Sequence, residues 1–87
     1  MVSRKITVVN ESGLHARPAS VLAKEAGKCQ SKVTILVENK IVQVKSVLNI
    51  MAAAIKCGTE IELCCDGENE VEELEKLAAL IESGLGE

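Results

Sequence analysis

Residues 13–20 read GLHARPAS and hold the only histidine and the only proline of an 87-residue chain, with Arg17 two positions past His15. An imidazole offers a nitrogen nucleophile, and a guanidinium offers a planar fork of donors that matches phosphate oxygens. If a helix begins at Ala16, its first backbone N–H groups lack internal partners and, with the helix dipole, form a site for an anion. Pro18 suits such a first turn, where its missing N–H leaves no bond unmade. The positive end of the dipole disfavours an imidazolium, which leaves a ring nitrogen of His15 free to attack. The chemistry this set suits is acceptance of a phosphoryl group by His15, with Arg17 stabilising the transferred group. The residues alone also fit a plainer reading, in which His15 is an ordinary N-cap and Arg17 a solvated charge.

The chain has no Walker-type glycine loop and no carboxylate pair placed for Mg²⁺. A phosphoryl group must therefore arrive on another protein. The length allows one domain, spanning 1–87, with no second core and no deep pocket. A composition of 47% apolar and 26% charged residues is that of a folded chain. There is no Phe, Tyr or Trp, and the net charge is −3, so the chain lacks the stacking rings and general positive charge that nucleic acid requires. No apolar run reaches the roughly 20 residues of a membrane span, and MVSRKITVV lacks signal-peptide architecture, which points to a cytoplasmic protein. Cys29, Cys57, Cys64 and Cys65 include no CxxC pair, and Cys64 and Cys65 would face opposite sides of a strand. Unligated structural thiols, with no metal and no cofactor, are the expectation.

The elements that must position His15 follow from the apolar pattern. VSRKITVV alternates as a strand with Ile6 and Val8 on one face, ending near Val9, and Asn10 to Gly13 break it. Ala19, Leu22, Ala23 and Ala26 fall at helical spacing over 16–26, with Gly27 suited to a left-handed C-terminal turn. Val33, Ile35 and Val37 form a second strand, Glu38 to Lys40 a turn, and Ile41 to Val44 its hairpin partner. TEIELCCD alternates as a fourth strand, with Ile61, Leu63 and Cys65 inward. Val71, Leu74, Ala78 and Ile81 line a last helix whose first turn holds Glu70, Glu72 and Glu73. The order βαββαβα predicts an α+β open-faced two-layer sandwich, a four-stranded antiparallel sheet covered on one face by three helices. Ferredoxin-like metal chaperones share that order, so topology does not choose a function, and a thiol-based metal-binding module stays open.

Between the third and fourth strands, VKSVLNIM places Ser46 directly before a short apolar helix, as its N-cap. Asn49, three positions later, is neither Glu nor Gln, so the capping box is incomplete. The helix can bury only one side, which leaves some of Val47, Leu48 and Met51 facing outward as a partner surface.

GLHARPAS resembles the active-site signature of the HPr family, the histidine-containing phosphocarriers of the bacterial phosphoenolpyruvate:sugar phosphotransferase system. The likeness runs through NESGLHARPAS, QVKSVLNIM, GTEIEL and the terminal ESGLGE, in the family's order and spacing. It implies the same four-stranded, three-helix sandwich. It also implies that His15 takes phosphate from phospho-enzyme I on Nδ1, stabilised by Arg17, and passes it to an enzyme IIA domain. The protein would then be a substrate of enzymes more than an enzyme, acting as a monomer. Ser46 would correspond to the regulatory serine of the Gram-positive type, phosphorylated by HPr kinase/phosphorylase so that the phosphoserine form joins catabolite control protein. The chain departs from the family at Asn49 and Ala54, where glycine is frequent, and at Cys57, where a basic residue is common. The other branches open to an HPr-like chain are a regulatory one and a nitrogen-related one. His15 excludes a paralogue lacking the histidine.

Overall fold

The computed structural model describes residues 1–85, so the last two residues of the ESGLGE stretch lie outside the described residues. In chain order the elements are β1 (Val2–Thr7), α1 (Ala16–Gly27), β2 (Lys32–Val37), β3 (Lys40–Gln43), α2 (Val47–Ala52), β4 (Glu60–Asp66) and α3 (Glu70–Glu82). The strands form one antiparallel sheet in the order β1-β4-β2-β3.

Period-two alternation decides which face is covered. Ile61, Leu63 and Cys65 of β4 pair with Ile6, Arg4 and Val2 of β1, and Leu63 and Cys65 also pair with Ile35 and Val33 of β2. Of these, Ile6, Val33, Ile35, Ile61, Leu63 and Cys65 join Ala19, Leu22, Ala23 and Ala26 of α1, Ile50 of α2, and Leu74, Leu77, Ala78 and Ile81 of α3 in one apolar core, with Val2 packed against it and Arg4 left exposed. Each buried Leu, Ile or Val side chain stabilises the fold by about 1.5–3 kcal/mol relative to exposure. The opposite face, with Ser3, Lys5, Glu60, Leu36 and Ile41, meets solvent. The architecture is the α+β open-faced sandwich that the pattern predicts. A right-handed-twist-compatible hairpin joins β2 to β3, since Glu38 and Asn39 both have positive φ (48° and 67°), as a two-residue type I′ turn requires.

Three local expectations are corrected. Gly27 is the last residue of α1 and has no positive φ; Lys28 caps the helix in ordinary right-handed geometry, its amide donating to the Glu25 carbonyl and the Cys29 amide to that of Ala26. On α3, Val71 is exposed and Leu77 takes the core position, because burial begins one turn into the helix. The first strand ends at Thr7, although Val8 still pairs outside it, its amide donating to Thr59 O at 2.9 Å and its carbonyl accepting from Gly58.

Candidate functional site

The chain leaving β1 is fixed at two points before it reaches His15. Asn10 is buried and its Nδ2 donates to Gly84 O at 2.6 Å. The Leu14 amide donates to Ile55 O at 2.9 Å, and the Leu14 side chain is buried. Between them Gly13 has φ +72°, and a Cβ there would fall 2.1 Å from Ile55 O and 2.9 Å from Lys56 Cα. Only glycine permits the two backbones to pass so closely in that conformation.

His15 follows as the N-cap of α1, with extended backbone (φ −85°, ψ −166°) and a carbonyl that accepts from Ala19 N at 2.8 Å. Its ring makes no capping hydrogen bond and is exposed. Pro18 is the third helical residue and is buried, so the donors left in the first turn are the amides of Ala16 and Arg17. Arg17 is exposed, and no described carboxylate forms an ion pair with it. Imidazole, free amides and guanidinium thus lie at one helix end. Together they can hold a doubly charged tetrahedral anion at the ring nitrogen.

The end of α2 builds the adjoining wall. Ser12, Leu14 and His15 line one side of an open groove, and Met51, Ala54 and Lys56 line the other. Ala54 has φ +52°, a left-handed turn that ends the helix and sends Ile55 past Leu14. At the other end of α2, Ser46 caps the helix: its Oγ accepts from Asn49 N at 3.2 Å and from Asn49 Nδ2 at 3.1 Å. Asn49 therefore completes the cap through the serine oxygen rather than through the serine amide, a variation on the capping box. Ile50 is fully buried, Val47 packs half-buried against the core, and Leu48 (79% exposed) and Met51 (37% exposed) face solvent. Of the three candidate docking residues, two are surface residues and Val47 is shared with the core.

The thiols do not converge. Cys65 is buried in the core, and burial pushes its thiol up to about 11. Burial also raises Cys29 and Cys64, Cys64 lies on the far face of the sheet opposite Thr34, and Cys57 is exposed. Raised thiols disfavour the thiolate that metal ligation and disulfide exchange both need. Among the described residues no three His, Cys, Asp or Glu side chains are grouped to hold a metal ion.

The family model described as the PTS HPr component phosphorylation site matches residues 2–83. The chain belongs to the HPr family. It is 53% identical over 62 residues to the phosphocarrier protein HPr of Mycoplasma capricolum, covering 71% of this chain and 70% of the relative. Over 82 residues it is 42% identical to the HPr-like protein Crh of Bacillus subtilis, covering 94% and 96% of the two chains. A crystal structure of HPr from Thermoanaerobacter tengcongensis superposes with a TM-score of 0.95 at 37% identity, covering 100% of this chain and 98% of that one.

Within the HPr pattern the departures now have physical settings. Asn49 holds Ser46, and Ala54 carries a left-handed backbone that glycine would adopt without strain. Sequence reasoning brought His15 and Met51 to this groove and Arg17 to the helix start beside it, but it missed Ser12 and Lys56. Their signal was the pairing of Gly13 with the segment after α2, a contact across some forty residues that periodicity does not encode.

Proposed function

We propose that this protein is a phosphocarrier of the sugar phosphotransferase system, taking a phosphoryl group from phospho-enzyme I on His15 and passing it to an enzyme IIA domain. The observation that carries this reading is the exposed His15 ring at the start of α1, making no capping hydrogen bond, beside the Ala16 and Arg17 amides and the Arg17 guanidinium. The ring lone pair forms the N–P bond while the bond from phosphorus to the donor breaks, its electron pair returning to the donor. Three phosphoryl oxygens then face the helix amides and Arg17, and the reverse displacement unloads the group. The protein chooses no small-molecule substrate, uses no cofactor and no metal, and is modified rather than catalytic. It works in the cytoplasm as one unit over residues 1–87.

The acceptor and donor dock on Leu48 and Met51, with Val47 supporting them from the core. Ser46, at the edge of that patch, is the site where HPr kinase/phosphorylase adds a regulatory phosphate, and the phosphoserine form binds catabolite control protein. Added charge at this edge opposes enzyme I docking without refolding α2. A regulatory or nitrogen-related branch is the second reading, favoured by the 42% identity to Crh, whose crystal structure is described as a swapped dimer. The working unit proposed here is a monomer, each chain carrying its own His15 site.

Incubation with phosphoenolpyruvate and enzyme I, followed by intact mass measurement before and after brief acid treatment, tests the carrier role. One acid-labile phosphoryl group, absent in His15→Ala, is the expected result. An unlabelled parent, under conditions that fully load an HPr of known activity, overturns it. Comparison of enzyme IIA acceptors then separates the sugar branch from the nitrogen branch.

A further inference from the structure

The groove beside His15 contains a cation that the phosphocarrier reading does not use. Lys56 lines it opposite His15 and Ser12, is exposed, and forms no ion pair with a carboxylate among the described residues. Its position is rigidly set at the backbone. Gly13, two residues before His15, lies so close that an added Cβ would stand 2.9 Å from Lys56 Cα, and Leu14 N bonds the preceding carbonyl of Ile55. Ala54 accepts a left-handed backbone to deliver this segment.

We infer that Lys56 is a second phosphate-binding residue of the His15 site, its ammonium meeting a phosphoryl oxygen from the α2 side of the groove. This inference rests on His15 being the phosphoryl acceptor. When the N–P bond forms, the donor bond breaks and the other ring nitrogen releases its proton to solvent, an uncharged ring is left carrying a dianionic PO₃ group. The amides and Arg17 approach that group from α1, and the side facing α2 would otherwise be open to water. The lysine stem is long and flexible enough to carry its charge over that side. Lys56 thereby neutralises the oxygens, which disfavours both protonation of the phosphorylated ring and expulsion of the phosphoryl group, and so lengthens the life of the loaded carrier.

The test loads His15 with phosphoramidate, a small phosphoryl donor that needs no partner protein, and follows loss of the group by intact mass in the parent, Lys56→Gln, Lys56→Arg and Lys56→Glu. Since Lys56 is exposed, these variants leave the core untouched. Hydrolysis about three- to fivefold faster in Lys56→Gln, faster again in Lys56→Glu and near the parent rate in Lys56→Arg is the expected order, with the differences shrinking in high salt. Equal lifetimes in all four proteins overturn the inference. Equal lifetimes with a raised KM for enzyme I in Lys56→Gln also overturn it, and assign the lysine to partner docking instead. Failure of enzyme I to load a parent that phosphoramidate does load counts against the carrier role alone. If phosphoramidate leaves the His15 ring unmodified, both readings fall.

Discussion

His15 donates no capping bond and buries no ring, so its removal takes away chemistry and little structure. His15→Ala should lose all phosphoryl acceptance yet unfold within about 1 kcal/mol of the parent in urea, a typical N-cap effect. Arg17 is the contrasting case, because its value lies in geometry as well as charge. Arg17→Lys keeps the charge and loses the planar fork, and stopped-flow transfer from enzyme I should slow by about tenfold, the worth of one bidentate, charge-assisted contact. Ser46 separates stability from docking. Ser46→Ala removes the acceptor for both Asn49 donors and should lower stability by about 1 kcal/mol. Ser46→Asp keeps a capping oxygen and should hold stability near the parent, while its charge beside Leu48 slows transfer from enzyme I at low salt. Parallel urea titrations and transfer rates on the two variants check this; equal rates for both would remove Ser46 from the docking edge.

At the scale of elements, the junction between the β1–α1 loop and the end of α2 governs the site. Gly13→Ala would push a methyl into Ile55 O at a left-handed backbone position, and a loss of about 3 kcal/mol or more in chemical denaturation is expected. Ala54→Gly should act in the opposite sense. A left-handed alanine costs about 1–2 kcal/mol, of which the greater freedom of unfolded glycine cancels part, so a gain of up to about 1 kcal/mol in urea is expected. The same junction marks where the sequence became hard to read. Strand alternation in EIELCCD and KVTILV, and the helical spacing of Ala19, Leu22, Ala23 and Ala26, locate sheet and helix because burial follows those periods directly. The His15–Arg17 pair was legible because both belong to one helix start. Leu77 was passed over for Val71 because both fit the period and only the start of the helix over the sheet decides between them. Gly27 offered a left-handed stop that the chain did not need, since Lys28 ends the helix in right-handed geometry. Lys56 was invisible because nothing local ties it to His15.

Across the whole molecule, one carboxylate ties the last helix to the loop that opens the second strand. Glu73 of α3 accepts the amides of Gln30 (2.8 Å) and Ser31 (3.0 Å) at the entry to β2. The Ser31 side chain and these amides hold its carboxyl below the ordinary glutamate range. Its contribution is therefore full above that ordinary value and is lost as pH falls through the lowered folded value. Glu73→Gln should be less stable than the parent at neutral pH and converge with it in acid, below the lowered folded value, as urea midpoints followed across the pH range will report. A gap that persists in acid would mean that the carboxylate charge is not what ties α3 to this loop. No helix among the described residues is long and apolar enough to cross a membrane, and the three that exist all lie on one side of the sheet. The interior they enclose holds no aromatic ring, the chain having no Phe, Tyr or Trp, and His15 is the only imidazole. The protein is consequently almost dark to near-ultraviolet absorption and fluorescence, so such signals in a mixture with a partner report the partner. In a proton NMR spectrum taken in D2O after the amides have exchanged, conversely, the only aromatic C–H lines belong to His15, and an unlabelled sample displays its ring with nothing overlapping it.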